Sequence, residues 1–344
     1  MKRYLLFVSE PYALAILRPL QAAIRARGDQ ARWFFSGRGA HFLADDEVEL
    51  PDIQAVIDYQ PDVVLVPGNW VPSFIPGLKV EIFHGFSVGK RSKQKGHFRI
   101  RGYFDLYCTQ GPDTTKGFLE LQDRHGYFRV RETGWPKMDP LFDAGTPPWP
   151  VKRDRPVVMF ASTFTPALSA APHLHDTIAE LAAGGRWRWL VTLHPKMDPA
   201  VVESYRALAG EFLEFVDTDN IIRMYKAADV LLCDTSSVIS EFLLQQKPVV
   251  TFRNRRPKPY MLDVSEADQI PDALATALQR PPELIRRVTD YADHIHPYRD
   301  GKSSERVLDA VEECLRLGRD GLKRKPLNLW RRLQMRSRFG YWGL

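Results

Sequence analysis

Residues 229–244 read DVLLCDTSSVISEFLL, and how this stretch is parsed decides the fold. The unbroken apolar run Val230 to Cys233 is a strand of the kind parallel sheets bury on both faces. Asp234 ends it, and Thr235, Ser236 and Ser237 open a helix whose Val238, Phe242 and Leu243 turn toward a core. A strand passing directly into a helix is half of a β-α-β unit. A helix start offers unpaired N–H groups and positive dipole, so hydroxyls there suit a phosphate or pyrophosphate. The same pattern also serves plain N-capping by Thr235 or Ser236.

Outward from that stretch the alternation continues. Upstream lie strand-like 157–161, helix-like 173–183, strand-like 187–193, helix-like 200–209, strand-like 212–216 and helix-like 221–228; strand-like 249–252 follows. The chain opens in the same way, with Arg3 to Val8, a helical pattern from Ala13 to Arg27 closed by Gly28, and Ala31 to Phe35. Helix-like 53–59 and apolar runs at 62–67, 79–83 and 106–109 extend this first series. Between Asp143 and Pro156 stand four prolines and no usable periodicity, which marks a linker. The expected organisation is two doubly wound α/β, Rossmann-like domains, residues 1–145 and 156–315, followed by a basic aromatic tail, 316–344. Two such domains place a cleft between the carboxyl ends of their sheets, where these folds bind ligands.

The composition fits an ordinary globular protein: 344 residues, 44% hydrophobic and 26% charged. Cys108, Cys233 and Cys314 are widely spaced and odd in number, so neither a disulfide framework nor a CxxC metal site is expected, and a reducing compartment fits. The first apolar run, Tyr4 to Val8, is too short for a signal-peptide core, and no stretch approaches the roughly 18 apolar residues of a membrane span. Of the net charge of +6, the tail carries nine Lys or Arg against one Asp, which leaves residues 1–315 slightly negative. A nucleic-acid-binding surface over the whole body is therefore not expected.

Several residues could carry chemistry. His84-Gly85 follows an apolar strand and would leave the imidazole at its carboxyl end, where a general base would sit; a capping or half-buried histidine reads the same way. Six cations follow between Lys90 and Arg101, Lys90 and Lys93 among them, on a loop placed to meet an anionic acceptor. His194-Pro195-Lys196 ends a strand in the second half, so two strand-end histidines, one per half, could face each other across the cleft. There is no GxxxxGK[ST] loop, no GxGxxG fingerprint and no HExxH. In the tail, Trp330, Phe339 and Trp342 stand among Arg331, Arg332, Arg336 and Arg338, a mixture that suits an anionic bilayer surface; docking on the protein itself gives the same composition.

Taken in order, five segments resemble the CDP-glycerol glycerophosphotransferase family, polymerases and primases of teichoic-acid-like chains with a GT-B architecture. They are His84-Gly85 with its lysines, residues 134–139 (GWPKMD), His194-Pro195, residues 234–237 (DTSS) and residues 300–306 (DGKSSER). The resemblance implies transfer of glycerol phosphate from CDP-glycerol, or a related CDP-alditol, to a hydroxyl of a glycan, lipid-linked or polymer acceptor, with release of CMP. It implies His84 as the base and His194 as the second essential histidine. Asp234, Thr235, Ser236, Ser237 and Lys196 then fall on the donor phosphates with Lys302, Ser303 and Arg306, and Lys90, Lys93, Lys137 and Asp139 on the acceptor side. No resident cofactor or metal is implied, and a divalent ion is left open.

The chain departs from the family pattern at three places. The HGTPLK-like stretch is His84 to Lys90 with the lysine displaced by one, the arginine of the GYPRND segment is Lys137, and the PTWR-like stretch is Ala161 to Thr165 without its arginine. Lysine supplies charge but no bidentate fork, which widens the donor class. The expected setting is cell-surface polysaccharide synthesis by a cytoplasmic enzyme peripheral to the anionic inner membrane face, with a nucleotide-activated donor, a glycan or lipid-linked acceptor and no nucleic-acid partner. Two alternatives stand beside it: a nucleotide-sugar glycosyltransferase of the same architecture, and a membrane-associated nucleotide-binding protein without turnover.

Overall fold

Twelve strands pair in parallel into two separate six-stranded sheets in the computed structural model, which describes residues 1–37, 40–86, 98–217 and 220–343. The chain divides into two units, residues 1–142 with 295–344, and residues 143–294. The expected domains are 1–145 and 156–315; here the chain passes from the first unit to the second between Phe142 and Asp143 and returns to the first at Ile295.

In the first unit the strands are β1 (Arg3–Val8), β2 (Gln30–Phe35), β3 (Val63–Val66), β4 (Leu78–Glu81), β5 (Leu106–Thr109) and β6 (Arg129–Glu132). Their order is β2-β1-β3-β4-β5-β6, so the direction of winding reverses between β1 and β3. The helices between them are α1 (Ala13–Ala26), α2 (Ile53–Tyr59) and α3 (Pro112–His125), with a single turn, α4 (Asp139–Phe142), before the crossing to the second unit. Leu5, Phe7, Val64 and Val66 meet Phe83, Tyr107 and Phe118 in one core cluster. Because successive strand residues point to opposite faces, the unbroken apolar runs of β1, β3 and β5 require helices on both sides.

The second unit has β7 (Val157–Ser162), β8 (Arg188–Leu193), β9 (Leu213–Phe215), β10 (Val230–Cys233), β11 (Val249–Phe252) and β12 (Leu262–Val264), with α5 (Ala171–Ala183), α6 (Pro199–Arg206), α7 (Ile221–Ala227), α8 (Val238–Leu243) and α9 (Ile270–Leu278). The order β12-β11-β10-β7-β8-β9 is that of a Rossmann sheet, with its switch point between β7 and β10. The Pro-rich stretch belongs to this unit. Trp149 is held there by its backbone N–H on the Arg223 carbonyl and its indole N–H on Glu214.

Helix α10 (Pro282–Ile295) leads back, and α11 (Ser303–Leu317) and α12 (Leu329–Phe339) complete the first unit. Helix α11 packs on α1, β4 and β5. Its start is fixed by Asp139, whose carboxylate accepts the backbone N–H groups of Ser303 and Ser304, both at 2.7 Å. Gly134 closes the same corner. Its φ is +80°, and a Cβ there would collide with the Ser303 hydroxyl and stand 3.1 Å from Nε2 of His296.

His296 is 1% exposed, and its Nε2 accepts the Trp135 N–H at 2.9 Å. Burial pushes its pKa down to about 4. Because the unfolded chain binds this proton near the ordinary 6.5, the stability conferred by neutral His296 is complete above that pH. It is lost as pH falls from about 6.5 toward 4, in total about 3 kcal/mol. Urea denaturation across this interval should show a stability slope that His296→Gln flattens; an unchanged slope in the variant would place the acid sensitivity elsewhere.

Candidate functional site

In a parallel sheet the loops leaving the carboxyl ends gather at one edge, and at a switch point two of them diverge and leave a crevice. In the first unit that crevice is a cavity of about 280 Å³ lined by Ser9, Glu10 and Tyr12 after β1, Gly68, Asn69 and Trp70 after β3, His84 after β4, and Arg338 from α12. The strand bearing His84 ends at Glu81, two residues earlier than the apolar run suggests, although the Ile82 N–H still bonds the Val66 carbonyl. Phe83 then turns with φ +63°, an unusual conformation for a bulky residue, and its carbonyl accepts the Trp135 indole N–H at 3.2 Å. Such strain persists where the surroundings enforce it, and it collects at functional sites. Phe83 is buried, so the turn puts the next side chain, exposed His84, beside the cavity, 5.5 Å from the Tyr12 ring. Burial raises the Tyr12 pKa, so its hydroxyl stays protonated.

In the second unit the switch point is filled by a carboxylate. Asp234 is 0% exposed and accepts the Ser162 hydroxyl at 2.6 Å and the backbone N–H groups of Thr163 and Ala170, both at 3.0 Å. Burial raises its pKa in spite of these bonds. Its donor-binding role is thereby corrected: the carboxylate is spent within the protein, where it locks the β7 and β10 ends together. Thr235 is likewise engaged, since its Oγ1 accepts the Arg255 N–H at 3.0 Å. Ser236 is half-buried and its Oγ accepts the Val238 N–H at 3.4 Å at the start of α8, while Ser237 is exposed, with Arg255 and Arg256 exposed in the chain after β11.

His194 directly follows β8, a strand separated from β10 by β7 alone, hence about 10 Å away at the usual strand spacing. Its ring lies 4.4 Å from Phe164, and Nδ1 accepts the Lys196 N–H at 3.0 Å, which leaves the proton of the neutral ring on Nε2. Burial, then the Lys196 charge, lowers its pKa, so the ring at neutral pH is a hydrogen-bond donor rather than a cation. Lys196 itself is exposed, with Nζ 5.8 Å from the Phe164 ring centre.

The remaining expected residues separate into two groups. Asp139 and Ser303 hold each other across the α11 start, so neither is available to a ligand, and Ser303, Lys302 and Arg306 stand in the first unit, not in the donor domain. Arg306 is paired with Asp300 and lies 4.1 Å over the Tyr298 ring. Lys302 is exposed, and Lys137 is half-buried over the Trp135 ring at 5.3 Å. Lys90 and Lys93 lie outside the described residues. Sequence reasoning passed over Ser9, Glu10 and Asn69, findable as the residues just past the β1 and β3 runs, and read Arg338 only as part of the basic aromatic tail. Among the described residues no group of three or more His, Cys, Asp or Glu could hold a metal ion.

The tail is docked on the first unit. Phe339 packs among Phe34, Trp70 and Phe74, and Arg331 donates to the Arg101 carbonyl at 2.8 Å. These two membrane assignments are corrected accordingly, whereas Trp330 at 72% and Trp342 at 62% remain exposed and Arg332 lies on the surface. No helix among the described residues is long and apolar enough to cross a membrane.

Comparison with known proteins adds three findings. Residues 120–313, more than half of the chain, match the family model described as CDP-Glycerol:Poly(glycerophosphate) glycerophosphotransferase. The chain is 24% identical over 210 residues to a teichoic acid poly(ribitol-phosphate) polymerase of Bacillus spizizenii, a match over 53% of this chain and 33% of that protein. The chain therefore spans about a third of the length of that curated relative. Among solved structures it is similar to the wall teichoic acid polymerase TagF (TM-score 0.63, 14% identity, 92% of this chain and 89% of that one). A UDP-GlcNAc 2-epimerase from Neisseria meningitidis bound to UDP-GlcNAc is also similar (TM-score 0.61, 15% identity, 91% and 100%). At these identities the structural likeness shows the fold, a GT-B-like pair of parallel-sheet α/β domains.

The two kinds of residue at the second unit's edge should respond differently to truncation. Asp234→Ala strands buried donors of β7 and α5 and should cost about 3 kcal/mol or more, whereas Ser237→Ala should stay within about 0.5 kcal/mol of the parent. Equal losses in thermal or urea unfolding would contradict this division.

Proposed function

The chain belongs to the CDP-glycerol:poly(glycerophosphate) glycerophosphotransferase family, and from that premise we propose that it transfers a polyol phosphate, glycerol phosphate first, from a CDP-activated donor to an acceptor hydroxyl. The observation that carries the reading is the position of His84, set by the strained Phe83 turn beside the polar switch-point cavity. The acceptor is a glycan, lipid-linked or polymer hydroxyl seated in that cavity. Its oxygen attacks the β-phosphorus of the donor, the bond from that phosphorus to the bridging oxygen breaks, CMP leaves, and His84 takes the hydroxyl proton.

On the second unit, Ser236, Ser237, the Nε2–H of His194 and the Lys196 ammonium are the donors for the pyrophosphate. A neutral His194 suits this task, because it donates to the bridging and terminal oxygens without itself titrating near pH 7. Transfer requires the donor phosphorus and the acceptor hydroxyl to reach a common point. No resident cofactor or metal enters the proposal; a divalent ion carried by the donor is compatible with it.

Calorimetric titration with CDP-glycerol, CDP-ribitol, CDP and UDP-GlcNAc tests the donor class. We expect CDP-glycerol to bind, at least about tenfold more weakly to the Ser236→Ala, Ser237→Ala double variant, the loss of charge-assisted hydrogen bonds being worth that much. The UDP-GlcNAc 2-epimerase likeness supports a second reading, a UDP-sugar enzyme, and heat from UDP-GlcNAc alone would select it. For the base, His84→Ala should lower kcat by about 10²- to 10⁴-fold and leave the donor Kd within twofold. Unchanged turnover would remove His84 from the mechanism.

We also place the enzyme at an anionic membrane surface inside the cell. Support comes from Leu327, Leu329, Trp330, Leu333 and Trp342, all exposed near Arg324 and Arg332. Because α12 is part of the fold, deleting residues 320–344 would also uncover Phe34, Trp70 and Phe74. The cleaner variant is Trp330→Ala, Leu333→Ala, Trp342→Ala, expected to bind anionic liposomes about tenfold more weakly at unchanged thermal stability. Equal sedimentation with liposomes would end the membrane assignment.

A further inference from the structure

The C-terminal helix does more than cover apolar surface. Resting on the reading of the first unit's cavity as the acceptor site, we propose that α12 supplies Arg338 as the specificity-determining cation on that cavity's wall, which engages the phosphate of the poly(glycerophosphate)-type acceptor that the family description names.

The placement of Arg338 is fixed from several directions. Phe339, the next residue, is wedged among Phe34, Trp70 and Phe74 with ring centres 6.1 to 6.4 Å apart. Gly340 ends the helix with φ +63°, and Tyr341 folds back onto Phe74 at 4.9 Å. At the other end Asn328 donates to the Arg101 carbonyl at 3.0 Å, and upstream Lys325 pairs with Asp105 at 2.6 Å. A helix so anchored holds the Arg338 guanidinium 4.6 Å from the centre of the Trp70 ring, on the wall of the cavity that His84 lines.

The chemistry follows from what the guanidinium lacks. Among the described residues Arg338 has ring contacts with Trp70 and Phe339 and neither an ion pair nor a hydrogen bond. It therefore keeps five N–H donors in a planar fork, the geometry that meets phosphate in pairs. Glu10 lines the same cavity without an ion pair among the described residues. A carboxylate repels phosphate and accepts hydrogen bonds from hydroxyls, while the Ser9 hydroxyl and the Asn69 amide both donate and accept. The cavity thus carries a phosphate-binding element in Arg338 and hydroxyl-binding elements in Glu10, Ser9 and Asn69, with His84 beside them to receive a proton. At about 280 Å³ it accommodates one small polar unit rather than a nucleotide. The α12 helix lies beyond residue 313, where the family match ends.

The probe is glycerol 3-phosphate, with glycerol as the neutral control, titrated into the full chain. We expect binding by the parent, a Kd at least tenfold higher for Arg338→Ala, partial recovery with Arg338→Lys, and no heat from glycerol alone. Phe339→Ala, which loosens the helix while keeping the guanidinium, should weaken binding too. With CDP-glycerol and an acceptor ending in a polyol phosphate, Arg338→Ala should raise the acceptor KM more than it lowers kcat. It should raise the KM of an uncharged glycoside acceptor at most twofold.

Equal glycerol 3-phosphate affinity in parent and Arg338→Ala, or no binding by the parent at millimolar concentration, overturns the proposal. So does a loss confined to CDP-glycerol affinity, which would move Arg338 to the donor. If the parent binds glycerol 3-phosphate through Arg338 yet shows no CDP-glycerol binding, the donor reading fails and the anion site stands.

Discussion

A carboxylate removed from water has to be met by donors, and in the second unit that requirement organises everything around it. Asp234 at the end of β10 draws in the Ser162 hydroxyl and the N–H groups that lead from β7 into α5. These are the two central strands, so the same bonds that satisfy the carboxylate set the separation of the loops at the switch point. Ser236 and Ser237 are presented only because Asp234 is not: the buried acid fixes the turn, and the hydroxyls that follow it emerge at a defined height above the sheet. Removing the charge while keeping the shape would still leave the Ser162 hydroxyl and two amides in search of a partner.

The first unit solves a related problem with Asp139, which answers the amides of Ser303 and Ser304 and so ties the far end of the chain to the end of the first sheet. Motif residues thus divide by physical role. Asp139, Gly134, Ser303 and Asp234 are spent on geometry; His84, His194, Lys196, Ser236 and Ser237 present unburied polar groups at the sheet edges. A residue type inside a motif does not tell these apart, because a carboxylate three residues from a proline reads the same whether it caps a helix or meets a substrate. Burial and partners separate them, and both are properties of the folded chain.

What was legible in the sequence was whatever hydrophobic continuity could encode. The runs at Arg3–Val8, Leu106–Thr109, Val230–Cys233 and Val249–Phe252 are strands with the expected limits, since buried parallel strands have no polar face to blur them. Strand β6, Arg129 to Glu132, was missed because it is an edge strand with one buried residue, Val130. The apolar run through Phe83 overran β4 because periodicity carries no sign of a left-handed turn. The return of the chain at Ile295 was not legible either: α11 is amphipathic in the same way whichever sheet it covers, and the pairing with α1 and Asp139 is a long-range contact that local pattern cannot contain.

The tail shows why composition alone stops short. Arginine and aromatic residues alternating on a helix satisfy a bilayer surface and a protein surface by the same two interactions, apolar burial and cation attraction. The structure docks some of them on the first unit and leaves others exposed. Phe339, Arg331 and Lys325 turn inward, where the first unit offers aromatic rings, a free carbonyl and Asp105, while Trp330, Leu333 and Trp342 turn outward. A helix divided in this way has one face committed to the fold and one exposed, and Arg338, on the boundary, belongs to neither: stacked on Trp70 at the cavity wall, it connects the docked face to the edge where His84 stands.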